Sequence, residues 1–327
     1  MTNQKGKEMS RKHNKTKILE FKNGVAEKTL NSWDDYQSFL NEYFCFRKTE
    51  DIEKKNNPQP LCYKDFIWRG QRCDDSLQKL ESEFDRMVDK NRKDNMKDHR
   101  RSSAYAFRGC FDDPSVEEIK RNTKEGHLNK NHFWAIGQDS ELKTPLITWS
   151  KSPFIAAFMA FNEKEIRLPS VLENKINKDL YEKTICLSRD KKTQSETRGL
   201  LNSLLENLDN SLQSPHRVIY ALDYQALEDR TECFQYFDPL SFRLPSFLAQ
   251  QGIFTVVIDG QDIESLVKRA CPGDSKSRIL LKIKIPNKDR EDVLRFLSLI
   301  NINYLTMFPN VLGASKFSNM KLEIDEY

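Results

Sequence analysis

The 327-residue chain lacks most of the patterns that announce a chemistry at first reading. No run approaches the roughly 20 apolar residues that a bilayer span requires, so no membrane helix is expected. Residues 1–17 are polar and basic with no apolar centre, so no secretory signal is expected either. The seven cysteines (Cys45, Cys62, Cys73, Cys110, Cys186, Cys233 and Cys271) are odd in number and contain no Cys-x-x-Cys pair. That pattern points to free thiols in a reducing cytoplasm and argues against a disulfide framework or a Cys-rich zinc site. Glycine is scarce, with 11 residues, and neither a Gly-Lys-Ser/Thr phosphate loop nor a G-x-G-x-x-G, G-x-S-x-G or H-E-x-x-H signature occurs. Among the five histidines only His127 and His132 are close, and their spacing suits no single helical face, so no metal site is expected.

What is present is charge around an aromatic core. Charged residues make up 31% of the chain and hydrophobic residues 38%, yet 20 Phe and 4 Trp are too many for a disordered chain. Net charge is +4, but the first 17 residues carry six cations and one Glu, so the remainder is one charge negative. The basicity therefore belongs to a disordered tail over residues 1–17, and residues 18–327 read as a single domain. Residues 163–215 lack strand alternation and contain one amphipathic stretch with Leu201, Leu204, Leu205, Leu208 and Leu212, which reads as a charged helical insertion and a possible docking site for a partner protein.

Around that insertion the chain mixes strand and helix patterns. Ile18–Lys22 reads as a strand ending at the turn Asn23-Gly24, and Ser32 as the cap of a helix. Residues 63–68 read as a strand running into Arg69-Gly70-Gln71. Residues 76–106 read as helical, and the mixed-charge run from Asp85 to Arg101 as a solvated face. Pro145–Ser150 reads as a strand, followed by a helix from Pro153 to Phe161 that is apolar almost all round and so should be buried. Further strands are expected at 217–223, 253–258 and 279–285, and a helix at 289–299. Strands and helices without regular alternation predict an α+β fold with a mixed or largely antiparallel sheet and flanking helices.

The polar residues at the strand ends are the candidates for function. Arg69 follows an apolar strand, where burial demands an anionic partner. Ser150 ends a second strand, either as a helix cap or as a functional hydroxyl. Gln250-Gln251-Gly252 forms a turn ahead of a third. Four blocks around these positions resemble the FRG domain family: Phe66-Ile67-Trp68-Arg69-Gly70-Gln71; Trp134 to Gln138 with Thr144 to Pro153 and Ala156-Ala157-Phe158; Arg243 with Gln250 to Thr255; and Ile302 to Gly313. The resemblance spans about residues 28–315. It departs at Asp139, where the family usually has His, and at Thr148, where it usually has Asp.

More distantly, the order of these blocks is similar to the Arg–Ser–Glu arrangement of ADP-ribosyltransferases. That resemblance implies an ADP-ribosyltransferase-like sheet and NAD as substrate, with no metal. Arg69, Gly70, Gln138, Trp149 and Arg243 would hold the cofactor, and Ser150, Gln250 and Gln251 would serve catalysis. It also implies a macromolecular acceptor, protein or nucleic acid, and a role as a toxin or phage-defence effector. A glutamine cannot supply a catalytic carboxylate's charge, so Asp223, Glu228 and Glu232 are candidates for that role. The alternatives are a non-catalytic nucleotide or nucleic-acid binding module, and a partner-docking structural protein.

Overall fold

The computed structural model describes residues 19–45, 61–74, 79–88, 100, 103, 130–139, 141–163, 215–238, 245–325 and 327. The basic start, the body of the 163–215 segment and Arg243 lie outside the described residues. Among the described residues nine strands appear in chain order: β1 (Val25–Thr29), β2 (Phe44–Cys45), β3 (Leu61–Cys62), β4 (Phe66–Gln71), β5 (Ile147–Ser150), β6 (His216–Asp223), β7 (Phe234–Phe237), β8 (Gly252–Val257) and β9 (Leu280–Pro286). The α-helices described are α1 (Trp33–Tyr43), α2 (Glu83–Met87), α3 (Lys130–Asp139), α4 (Pro153–Phe161), α5 (Tyr224–Glu228), α6 (Pro245–Ala249), α7 (Ile263–Ala270), α8 (Arg290–Leu299), α9 (Tyr304–Met307) and α10 (Val311–Glu323). Seven strands form one sheet in the order β1-β9-β6-β4-β5-β8-β7, with β1 parallel to β9 and every other pair antiparallel. This is the mixed α+β architecture the sequence predicts.

Period-two alternation divides the sheet's core between its faces. Phe66, Trp68, Ile219, Ala221, Leu281 and Ile283 pack with α1, α4 and α8. Ile67, Ile147, Trp149, Val218, Tyr220, Leu222, Ile253 and Leu280 pack with α7 on the other face. Helix α4 is buried over most of its length, as its all-round apolar sequence requires. Its carbonyl end is closed by two buried arginines. Arg217 donates to Ala160 O at 3.1 Å and Arg290 to Phe161 O at 3.0 Å, each placing a cation at the negative end of the helix dipole.

Local signals are realised with two corrections. Ser32 caps α1 by accepting from the Asp35 amide at 3.1 Å. The first strand follows the Asn23-Gly24 turn instead of preceding it. Both turn residues have positive φ, 51° and 77°, and the parallel ladder to β9 begins at Val25. The helix read over 76–106 is not continuous: it starts at the Ser82 cap as the short α2, ends at Met87, and among the described residues Arg100 and Ser103 are helical again.

An ion cluster ties β1, β9 and the end of β4 together. Asp74 bridges Lys282 at 2.5 Å and Lys284 at 2.6 Å, and Glu27 also pairs with Lys284. Burial pushes the Asp74 carboxyl up, but the two lysine bonds outweigh it and hold it below its ordinary value. A depressed carboxyl contributes stability above its unfolded pKa, about 4, and loses it as pH falls through the folded value. Asp74→Asn is therefore expected to unfold more easily than wild type at pH 7 and to show a shallower loss of stability below about pH 4. Parallel urea curves at pH 7 and pH 3 check this, and equal slopes with pH would refute it.

Candidate functional site

Arg69 sits in mid-strand β4, one residue past the only registered β4–β5 pair, Trp68 with Ser150. Beyond that pair the two strands part. The half-buried Arg69 side chain enters the gap, where Nη1 donates to Thr148 O at 2.6 Å. No carboxylate pairs with it among the described residues. Burial first, and the nearby Arg86 second, pull its pKa down to about 10, so it remains charged at neutral pH.

Beside the guanidinium lies a cavity of about 530 Å³, lined by α2 and its approach, by the end of α3 and by the loop into β5. Its polar lining includes Arg69, Glu81, Ser82, Glu83, Gln138, Glu141, Lys143 and Thr144. Gln138 is fixed at both ends, donating to Thr148 Oγ1 and accepting from Thr144 Oγ1, each at 2.8 Å. Thr148 thus holds both Gln138 and Arg69, through its hydroxyl and its carbonyl. Glu83 pairs with Lys143 across the rim, and Glu81 approaches Arg86 at 3.8 Å. The volume falls within the range of small-molecule sites.

Of the residues singled out in the sequence, Arg69 and Gln138 share this cavity. Ser150, Gln250, Gln251 and Trp149 do not line it. The reason is strand parity. Ser150 lies opposite Trp68 and shares its face, whereas Arg69, the next residue along, points to the other face. Among the described residues, the cavity beside the Arg69 guanidinium is therefore not one that the Ser150 hydroxyl or the Gln250 or Gln251 amide lines. Instead Ser150 Oγ donates to Gln250 O at 2.8 Å and accepts from the Ser152 amide at 3.1 Å, while Gln250 Nε2 donates to Met307 O at 3.1 Å. These bonds clasp β5, the turn before β8 and α9 together. The cap of α4 is Ser152, which accepts from the Ile155 amide.

Trp149 is buried with its Nε1 donating to Thr255 Oγ1 at 2.8 Å, so it offers no stacking surface. Gly70 faces α4: a Cβ there would lie 1.9 Å from Ala156 O, which explains the glycine by packing. Asp139 accepts from Ser246 at 2.6 Å. Asp223 caps α5, and neither it, Glu228 nor Glu232 lines the cavity. The cavity's own carboxylates come from positions the sequence reading passed over. The Ser82-x-x-Asp85 capping pattern was the one available signal for the Glu81–Glu83 wall. Glu141 and Lys143 lie in a short charged loop with no signal at all.

Ser150→Ala would remove the partner of a half-buried carbonyl and a half-buried amide, at a cost of about 1 kcal/mol. The expected result is a lower urea midpoint with no change in binding at the Arg69 cavity. A variant of wild-type stability would show that the clasp contributes nothing.

Among the described residues no helix is long and apolar enough to cross a membrane, and no group of three or more His, Cys, Asp or Glu is placed to hold a metal ion. No curated protein and no solved structure matches the chain, so the ADP-ribosyltransferase resemblance has no structural neighbour behind it. A family model does match, over residues 64–167, and every residue lining the cavity falls within that segment. Through these residues, which contribute β4, β5, α2, α3 and α4, the chain carries an FRG domain.

Proposed function

We propose that the FRG domain of this chain binds a nucleotide-type ligand in the Arg69 cavity, with NAD and its ADP-ribose part as the first candidates. The observation that carries this reading is a charged, partly desolvated guanidinium that opens onto a cavity and has no carboxylate partner among the described residues. Such a group is poised for a phosphate, which it can engage through paired hydrogen bonds. The remaining lining suits the rest of a nucleotide: carboxylates and a fixed glutamine accept and donate to sugar hydroxyls, and Leu142, Leu146 and Ile147 offer apolar surface to a base.

Transfer of ADP-ribose to a macromolecular acceptor, as in a toxin or phage-defence effector, asks for more. A departing nicotinamide leaves positive charge on the ribose, and a fixed carboxylate must stabilise it. Glu81, Glu83 and Glu141 are the cavity's carboxylates, whereas Ser150 and Gln250 are engaged on the opposite face. The geometry therefore favours binding over transfer by the Ser–Gln set.

Calorimetric titration with ADP-ribose and with NAD tests the reading. A charge-assisted hydrogen bond contributes about 1.5–3 kcal/mol, so Arg69→Ala should weaken binding by roughly 10–100-fold. Absence of binding to wild type, or equal affinity in the variant, would remove the proposal. Incubation with labelled NAD separates a binding module, which returns NAD intact, from a transferase.

A further inference from the structure

We infer that Glu141 sets the charge selectivity of the cavity: it admits a ligand whose phosphates are followed by a hydroxyl-bearing or cationic group, and rejects one that continues into further phosphate. This rests on the nucleotide-binding reading above and adds the ligand class.

The inference comes from how the cavity's charges are spent. Glu83 is neutralised by Lys143, and Glu81 lies near Arg86. Glu141 forms no ion pair among the described residues, and neither does Arg69. One cation and one carboxylate therefore line the same cavity, both unpaired and too far apart to pair with each other. Arg69 is half-buried and Glu141 exposed at the mouth, and opposite charges left apart along one cavity suit a ligand that carries their complements at a matching separation. Arg69 takes the anionic part. Glu141 accepts from hydroxyls, or attracts positive charge, at the other end. A phosphate placed there would meet a like charge, which costs affinity.

The backbone at Glu141 supports the assignment. It has φ +66°, in the left-handed region where a side chain is disfavoured and glycine is at ease. Its amide is held by Gln138 O at 3.2 Å and the Leu142 amide by Gly137 O at 2.8 Å, so the turn is fixed. A strained glutamate at a cavity rim is the kind of position where local cost is retained for a functional contact.

ADP-ribose and ATP make the decisive pair of probes. Both carry adenosine 5′-diphosphate, but one ends in a ribose and the other in a third phosphate. Titrated against the full chain, wild type should bind ADP-ribose at least tenfold more tightly than ATP. Glu141→Gln removes the charge and should cut that ratio at least threefold, mainly by improving ATP. Glu141→Gly, which also relieves the positive φ, should do the same and guards against a misfolded variant. A ratio unchanged in both variants overturns the inference even where Arg69→Ala still abolishes binding. If neither nucleotide binds wild type, the underlying reading fails and this one falls with it.

Discussion

Replacement of Gly70 by alanine should be the most destabilising small change in the sheet. The added Cβ would sit 1.9 Å from Ala156 O and 2.6 Å from Ala160 N, both backbone atoms of α4 that no rotamer change can move. The helix cannot simply retreat. Its far side packs on α8 and α1, and its end is gripped by Arg217 and Arg290. Overpacking in a deformable core costs about 1–3 kcal/mol, and this contact meets rigid backbone on both sides, so about 3 kcal/mol or more is expected. Gly252 is the control. A Cβ there finds its nearest neighbour at 3.5 Å, an ordinary contact, and Gly252→Ala should stay within about 1 kcal/mol of wild type. Urea denaturation of both variants decides it. Equal midpoints for Gly70→Ala and wild type would mean that α4 does not sit against β4 as described.

That contact also shows what a sequence can carry about this fold. Alternation in residues 217–223 and 279–285 marks strands because one side of each strand must be buried, and β6 and β9 follow. The all-apolar run after Pro153 had to be covered on every side, and α4 is. The Arg69-Gly70 pair was legible as a special position, but not its division of labour. Gly70 serves helix packing on one face while Arg69 serves the cavity on the other. Strand parity alone separates Arg69 from Ser150, and it becomes visible only once register joins Trp68 to Ser150. The cavity's acidic wall was illegible for a different reason. Glu81, Glu83 and Glu141 are ordinary surface residues in composition, and long-range placement alone brings them to Arg69. Gln250 and Ser150, expected in the sequence to serve catalysis, are bonded to each other in the fold. Their hydroxyl, carbonyl and amide satisfy one another and Met307, so polar residues at strand ends need not address a ligand.

Arg100 carries the second large expectation, since Arg100→Ala should cost about 3–5 kcal/mol and loosen the cavity wall. The mixed-charge run from Asp85 to Arg101 invites the reading of a solvated helix face, yet its two ends form a buried pair. Arg100 Nη2 donates to Asp85 Oδ1 at 2.7 Å, with side-chain exposures of 8% and 2%. The same guanidinium donates to Val257 O at 2.9 Å and to Ile258 O at 3.3 Å, at the end of β8. Asp85 in turn accepts from Ser82 Oγ at 2.7 Å, so the start of α2 is moored to the sheet through one arginine. Removing it leaves a buried carboxylate with Ser82 and two carbonyls short of a donor. Removing both charges is a different experiment. Asp85→Leu combined with Arg100→Met eliminates the stranded ion, and its cost should fall well below that of Arg100→Ala alone. Because Glu81, Ser82 and Glu83 ride on this mooring, Arg100→Ala should also weaken ADP-ribose binding under conditions where the variant is still folded. Hydrogen exchange at residues 83–88 supplies the local readout. Amide protection there unchanged from wild type, together with an unshifted urea midpoint, would show that the buried pair does not anchor the wall.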